Sequence, residues 1–248
     1  MNPWAVMQRF GPSTSGGGGF PSTWNAAMAA LPGLWGWWKL DETAANGVTA
    51  ADSSGNGRSG TYLTAGTRGT GLIGASAFSQ TTLGASVSLP QYSFPTNAKI
   101  TVGAVIKTSI SSSDEQQILS GDSSSRAFQF RKNVTTHALE FVTINPSVTI
   151  TTGVAAINDG NPHLVMVVVD QTLPAASGVV KLYVDGVLDK ASTTAITISG
   201  GLSPFLGIGT RSGGDNTGLW GGSIDECFFC ADALAADRIA ALWAVRNS

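Results

Sequence analysis

The side chains able to do chemistry in this sequence are few, and their spacing is restrictive. Carboxylates stand in adjacent pairs: Asp41-Glu42, Asp114-Glu115 and Asp225-Glu226. Retaining hydrolysis of a glycoside needs two carboxylates about 5–5.5 Å apart, flanking the sugar. On a strand that means same-face spacing, i with i+2 or i+4. Adjacent strand residues face opposite sides, so none of the three pairs qualifies. The two histidines, His137 and His163, form no Ser/His/Asp arrangement. Cys227 and Cys230 make a C-x-x-C, but no second pair completes a zinc site. Three residues apart on a strand, they are expected on opposite faces as reduced, partly buried thiols. No enzymatic activity is expected.

Two other chemistries remain. Asp52 and Asn56 lie in the Gly-rich turn Asp52-Ser53-Ser54-Gly55-Asn56-Gly57, and Asp225 and Glu226 follow Gly222. Such carboxylates and loop carbonyls could supply the roughly six to eight oxygens of a calcium ion. Asp52 equally suits an Asx-turn, and Asp225 a bond to a backbone amide. Sugars stack on exposed aromatics while polar neighbours bond their hydroxyls. Trp220 beside Asp215 and Asn216, with Tyr92 in a loop, are the glycan-binding candidates. Trp24, Trp35, Trp37 and Trp38 cluster near the N-terminus and suit a packing or subunit interface, where Trp is enriched.

The elements that must position these groups are mainly strands. Segments such as Lys99–Lys107, Ala138–Ile144, His163–Val169 and Ile224–Phe229 are short, β-branched or aromatic, and separated by Asn, Asp, Gly, Ser and Pro turns. Ala195–Ile198 reads the same way. In Leu34–Leu40, alternation places Leu34, Trp38 and Leu40 on one face and Trp35, Trp37 and Lys39 on the other. Asp185-Gly186 is a hairpin signal, because a type I′ turn needs positive φ at both positions. One helix is expected within 22–31, capped by Ser22 or Thr23 and stopped by Pro32-Gly33. A second is expected over Ala233–Val245. Residues 1–21 are rich in Gly and Pro yet carry the apolar anchors Trp4, Met7 and Phe10. The chain therefore divides into an arm with its short helix, 1–33, for assembly and anchoring, and a domain, 34–248. Trp4, Met7, Phe10 and Trp24 are expected to dock on a neighbouring subunit.

Composition narrows the function classes. Of 248 residues only 12% are charged, with 14 Lys+Arg against 16 Asp+Glu, about half the usual ~25%. Nucleic-acid binding needs clustered cations, which are missing. The longest aliphatic run, Leu164–Val169, is far below the ~20 residues of a membrane helix and reads as a buried strand. The first ten residues lack the pattern of a secretory signal, so synthesis in a cytoplasm without membrane insertion is expected.

Several local patterns occur in a characteristic order: Trp38-Lys39-Leu40-Asp41-Glu42, the Asp52–Gly57 turn, Lys99–Lys107, Asp159-Gly160-Asn161-Pro162-His163, Leu182-Tyr183-Val184-Asp185-Gly186, and Gly222-Ser223-Ile224-Asp225-Glu226 before the closing helix. From about Leu34 to Val245 this series resembles the concanavalin A-like lectin/glucanase superfamily, in its laminin-G-like or pentraxin-like branch. Val105 and Pro162 stand where that family usually has Trp. The glucanase motif Glu-x-Asp-x-x-Glu is missing. The resemblance implies an all-β jelly-roll sandwich of two antiparallel sheets, with the N-terminal arm and two short helices appended. It implies a structural calcium held between the Asp52 and Asp225 loops, a structural role for His163, and for Trp220 an alternative as a packing aromatic. Family roles span glycan binding, adhesion, hydrolysis and virion structure. The expectation is a non-enzymatic virion protein of a tailed bacteriophage: a capsid decoration, fibre or tail accessory, homo-oligomeric and anchored to other virion subunits by its arm. The alternative is a carbohydrate-binding module for host or environmental glycans.

Overall fold

The computed structural model describes residues 21–42, 47–63, 67–73, 76–80, 86–111, 115–121, 127–144, 148–198, 200, 204–211 and 218–247. One sheet contains β1 (Leu34–Trp38), β4 (Thr67–Thr70), β5 (Ser76–Gln80), β7 (Lys99–Lys107), β12 (Pro162–Asp170), β13 (Val180–Val184), β14 (Val187–Ala191) and β16 (Gly222–Cys230). The other contains β2 (Thr49–Ala50), β3 (Gly60–Tyr62), β6 (Val87–Gln91), β8 (Gln116–Gly121), β9 (Phe128–Lys132), β10 (Ala138–Thr143), β11 (Thr149–Ala156) and β15 (Phe205–Ile208). Helices α1 (Trp24–Ala29) and α2 (Ala236–Val245) complete the described elements, with a 3-10 turn at Ala175–Ser177. The first sheet runs β14-β13-β12-β7-β16-β5-β4, with β1 also on β16; the second runs β11-β10-β9-β8-β15-β6-β3-β2. Every pairing is antiparallel. This is the all-β sandwich expected from the sequence.

Strand alternation builds the core. Ile100, Val102, Val165, Val167, Ile224 and Phe229 face Phe128, Phe130, Phe141 and Ile208 between the sheets. The opposite face of the first sheet is apolar too. Val105, Leu164, Met166 and Phe228 pack there under Trp24, Ala27 and Met28 of α1 and Ile239 and Leu242 of α2. Burial on both faces explains why Leu164–Val169 is a continuous apolar run rather than an alternating one. Among the described residues no helix is long and apolar enough to cross a membrane.

Local rules account for most turns. The Thr23 hydroxyl accepts from Ala26 N at the start of α1, and Gly33 (φ +63°) follows its end. Asp185 and Gly186 have φ of +53° and +79°, as the hairpin between β13 and β14 requires. Three expectations need correction. A bulge in β1 between Leu34 and Gly36 reverses the first two side chains: Leu34 packs on the helix side, and Trp35 on the inter-sheet core. Ala195–Ile198 forms no strand, although Ile196 and Ile198 are buried. Trp24, assigned to the docking arm, is 2% exposed within the chain's own body. Spacing of i, i+3, i+4 and i+7 directs Trp24, Ala27, Met28 and Leu31 onto the first sheet, so α1 belongs to the domain. Trp4, Met7 and Phe10 lie outside the described residues.

Trp24→Ala removes a buried indole from the layer that covers the first sheet. It should cost about 3–5 kcal/mol, read as a melting temperature lower by at least roughly 6 °C. An unchanged melting temperature would mean that α1 is not part of the folded body.

Candidate functional site

A cleft of about 630 Å³ opens at one end of the first sheet. β7 ends there at Lys107, which lies opposite both Pro162 of β12 and Ser223 of β16. Gly69–Leu72, after and within β4, form a second wall, and Thr108–Ile110 with Gly160 a third. The walls are tied by the backbone: Gly160 N donates to Thr108 O (3.0 Å), and Ile110 N to Thr108 Oγ1 (3.1 Å). Gly222 is sterically required. Its φ is +123°, and a Cβ there would lie 2.2 Å from Lys107 O. The volume suits a small ligand. Among the described residues the lining is glycine, hydroxyl, Lys107 and a few apolar groups, with no carboxylate.

The acid pair sits behind one wall. The register of β16 on β7 slips between Asp225 and Phe228, and Glu226 has φ +52°. This bulge places both acids on the helix-covered side. Asp225 lies opposite Val105, and Glu226 accepts from Trp37 Nε1. The buried Trp24 indole N–H also faces Glu226, outside hydrogen-bonding geometry. The expectation that adjacent acids point to opposite faces is thus overturned, because a bulge adds a residue and re-aims one side chain. Cys227 returns to the inter-sheet core and Cys230 to the helix side, both as buried thiols.

Asp225 Oδ2 accepts the N–H groups of Leu72 (2.8 Å) and Ile73 (2.9 Å). Burial, with the charge of Glu226 nearby, pushes the Asp225 pKa up to about 8. Burial raises Glu226 to about 7, opposed by the indoles of Trp24 and Trp37. With 0% and 3% exposure, neither acid can reach a substrate. Asp225 carries the cleft wall at Leu72; the pair does not flank a scissile bond.

His163 borders the same end. Its Nδ1 meets Asp185 Oδ2 (2.8 Å) and its Nε2 meets Asp159 Oδ1 (3.0 Å). The Asp185 bond is the main cause that raises the His163 pKa, against burial. Asp159 falls to about 2, chiefly through the N–H of Asn161. Asp185 Oδ1 also accepts from Leu164 N (3.0 Å). Both ring nitrogens are engaged, so His163 pins the β13–β14 hairpin to β12.

The other candidates fall elsewhere. Trp220 is 1% exposed in the inter-sheet core. Tyr92 is buried, edge-on to Trp35 (5.5 Å) and Phe94 (4.8 Å). Neither offers a face to a sugar, a correction forced by their packing. Asp215 and Asn216 lie outside the described residues. Asp52 forms the Asx-type turn: Oδ1 accepts from Trp37 N and Ser54 N, and Oδ2 from Arg58 N. Burial would raise its pKa, but these bonds bring it below the usual value. Asn56 Nδ2 donates to Leu34 O and Trp35 O. Asp52 bridges to Trp38 on one side of β1, while β16 pairs with the other. The four proposed calcium ligands therefore do not converge. Among the described residues no group of three or more Asp, Glu, His or Cys is placed to hold a metal. These residues do not fit a calcium ion.

Two groups escaped the sequence reading. The cleft lining was hidden because its polar residues occupy the ends of motifs read for their cores. On the outer face of the second sheet, Arg131 pairs with Glu140 (2.6 Å) and Glu115, and donates to Gln129 (2.6 Å). Alternation in Phe128-Gln129-Phe130-Arg131 signalled that face. Its buried members bond one another, so it reads as internal scaffolding.

Comparison with known proteins places the geometry. Residues 79–240 match Laminin_G_3, the concanavalin A-like lectin/glucanases superfamily. Domain 4 of AbnA, an extracellular GH43 arabinanase from Geobacillus stearothermophilus, solved with arabinotriose, is similar at 19% identity and TM-score 0.60, over 84% of this chain and 97% of that one. The binding domain of Paraclostridial Mosquitocidal Protein 1 is similar at 12% identity and TM-score 0.64, over 85% and 52%. The receptor-binding domain of botulinum neurotoxin D is similar at 11% identity and TM-score 0.61, over 88% and 53%. The chain thus spans about half of those two toxin domains. No curated protein matches.

The buried acids give a pH prediction. Asp225 and Glu226 have folded pKa values of about 8 and about 7, above their unfolded ones, so their contribution is full below the usual carboxylate pKa and is lost as pH rises to those values; His163, raised by its Asp185 bond, likewise loses its contribution as pH rises through its folded pKa. Asp159 and Asp52, with lowered values, contribute above the usual carboxylate pKa and lose that contribution toward pH 2. The melting temperature should be highest near the usual carboxylate pKa, at about pH 4, and fall steadily toward pH 8. Asp225→Asn should flatten the alkaline limb. A melting temperature that climbs from pH 5 to pH 9 would refute the assignment.

Proposed function

The chain belongs to the concanavalin A-like lectin/glucanase superfamily, and from that premise we propose that it is a non-catalytic recognition module whose cleft takes a saccharide. The carrying observation is the cleft itself: three of the motif segments end on it, and among the described residues no carboxylate lines it. Hydroxyls of Thr70, Ser109 and Ser223 and backbone groups of four glycines supply short-range polar contacts, while Leu72, Ile110 and Pro162 offer apolar surface to sugar C–H faces. The arabinotriose seen with the AbnA domain, and the receptor-binding role of the toxin domain, support a recognition role for this fold.

We further propose that the module is displayed on a larger particle, in our reading a tailed-bacteriophage virion, through residues 1–20. Support comes from the sequence of that segment, whose Trp4, Met7 and Phe10 are set among Gly and Pro, and from the low charge of the whole chain. Repeated copies would give avidity to weak individual sites. Self-association has its own support. Val148, Ile150 and Val154 of the β11 region and Val187 and Leu188 of β14 are all about half exposed or more, and the two strands touch. β11 is an edge strand whose sequence, TITTGVAA, carries no charge. Asp189 of β14 accepts from Val154 N and Ala155 N and covers that end of the edge, which leaves the exposed apolar side chains of Val148, Ile150, Val187 and Leu188 as the surface a second copy would bury.

Two measurements test these readings. On a glycan array the wild type should bind, and Ser109→Trp, which fills the cleft, should lose at least about tenfold in affinity at an unchanged melting temperature. No glycan bound by the wild type would leave only a scaffolding role. Ile150→Lys should shift the protein toward monomer in sedimentation equilibrium. A wild type that is monomeric at high concentration would sink the self-association reading.

A further inference from the structure

Charge at the cleft is one-sided. Among the described residues Lys107 is the only charged one that lines it. Its side chain is exposed at the end of β7, and among the described residues no ion pair engages it. Neutral-sugar sites need acceptors for hydroxyl protons, and ionised carboxylates are the strong ones. Here the neighbouring acids are turned away. Asp159 holds Asn161 and His163. Asp225 lies behind the backbone of Leu72 and Ile73, which holds it by two N–H groups. Among the described residues nothing on the walls cancels the Lys107 ammonium. Gly69, Gly71 and Gly160 keep the walls low, so an anionic substituent can approach the ammonium closely.

We infer that the saccharide taken by this cleft carries an anionic group, a sugar carboxylate such as a uronic acid, which Lys107 reads. The inference rests on the cleft being the saccharide site. Lys107 Nζ forms a charge-assisted hydrogen bond to the ligand carboxylate, and the hydroxyls of Thr70, Ser109 and Ser223 meet the ring hydroxyls. Such bonds are about twice as strong as neutral ones and weaken with salt when exposed.

Isothermal titration with trigalacturonate and arabinotriose tests it, using wild type, Lys107→Gln and Ser109→Trp of matched melting temperature. The wild type should bind trigalacturonate at least about tenfold more tightly than arabinotriose. Lys107→Gln should lose that preference, with trigalacturonate affinity falling far more than arabinotriose affinity. Added salt should weaken only the trigalacturonate complex. Equal affinities, or a preference that survives Lys107→Gln, would overturn the charge inference while leaving the saccharide reading intact. Binding that survives Ser109→Trp, or none of either trisaccharide to wild type, would overturn both.

Discussion

β16 changes its neighbour halfway along. Residues Gly222–Ile224 pair with β5, and Cys227–Cys230 pair with β1, while β7 runs along the other side. Between the two partners, at Asp225 and Glu226, that side of the strand has no ladder. Backbone N–H groups near such a gap must find acceptors, since a buried donor left unsatisfied costs about 1–3 kcal/mol. Asp225 is the acceptor, for both Leu72 and Ile73. The bulge at Glu226 supplies the extra residue, sends its carboxylate to the Trp37 indole, and restores the register so that Phe228 and Phe229 reach opposite cores.

The rest of the molecule follows from this handover. Because Leu72 is held by Asp225, the segment after β4 stands as a wall, and the cleft lies between it and the ends of β7 and β12. Because Glu226 lies under Trp37 and beside Trp24, the same strand carries α1. Burying two acids in this way is tolerable only while a proton accompanies them, hence pKa values lifted toward neutrality. The pair that sequence spacing rejects as a hydrolytic dyad is, for a different physical reason, a structural one.

The legible parts of the sequence were those governed by local rules. Alternation revealed the strands, Asp185-Gly186 the hairpin, and Pro32-Gly33 the end of α1. Asp52 took its own turn, as its position among Ser and Gly indicated. The misread parts depended on non-local events. A bulge in β1 exchanged the faces of Leu34 and Trp35, and the one in β16 brought Asp225 and Glu226 to a common side; nothing in Leu-Trp-Gly-Trp or Ile-Asp-Glu-Cys marks an extra residue. Trp220 and Tyr92 look like sugar platforms by composition, and only tertiary packing shows them enclosed. The cleft was invisible because Thr70, the Lys107–Ser109 segment and Ser223 lie far apart in the chain, each unremarkable alone.

The central claim is that ligand meets this domain at the end of the first sheet. The most direct measurement is amide chemical-shift mapping by NMR, titrating trigalacturonate into the full chain. The amides of Gly71, Leu72, Lys107, Ile110, Gly160 and Ser223 should shift together and saturably, with those of Gln129, Arg131 and Glu140 unmoved. Shifts confined to the outer face of the second sheet, or none that saturate, would contradict it.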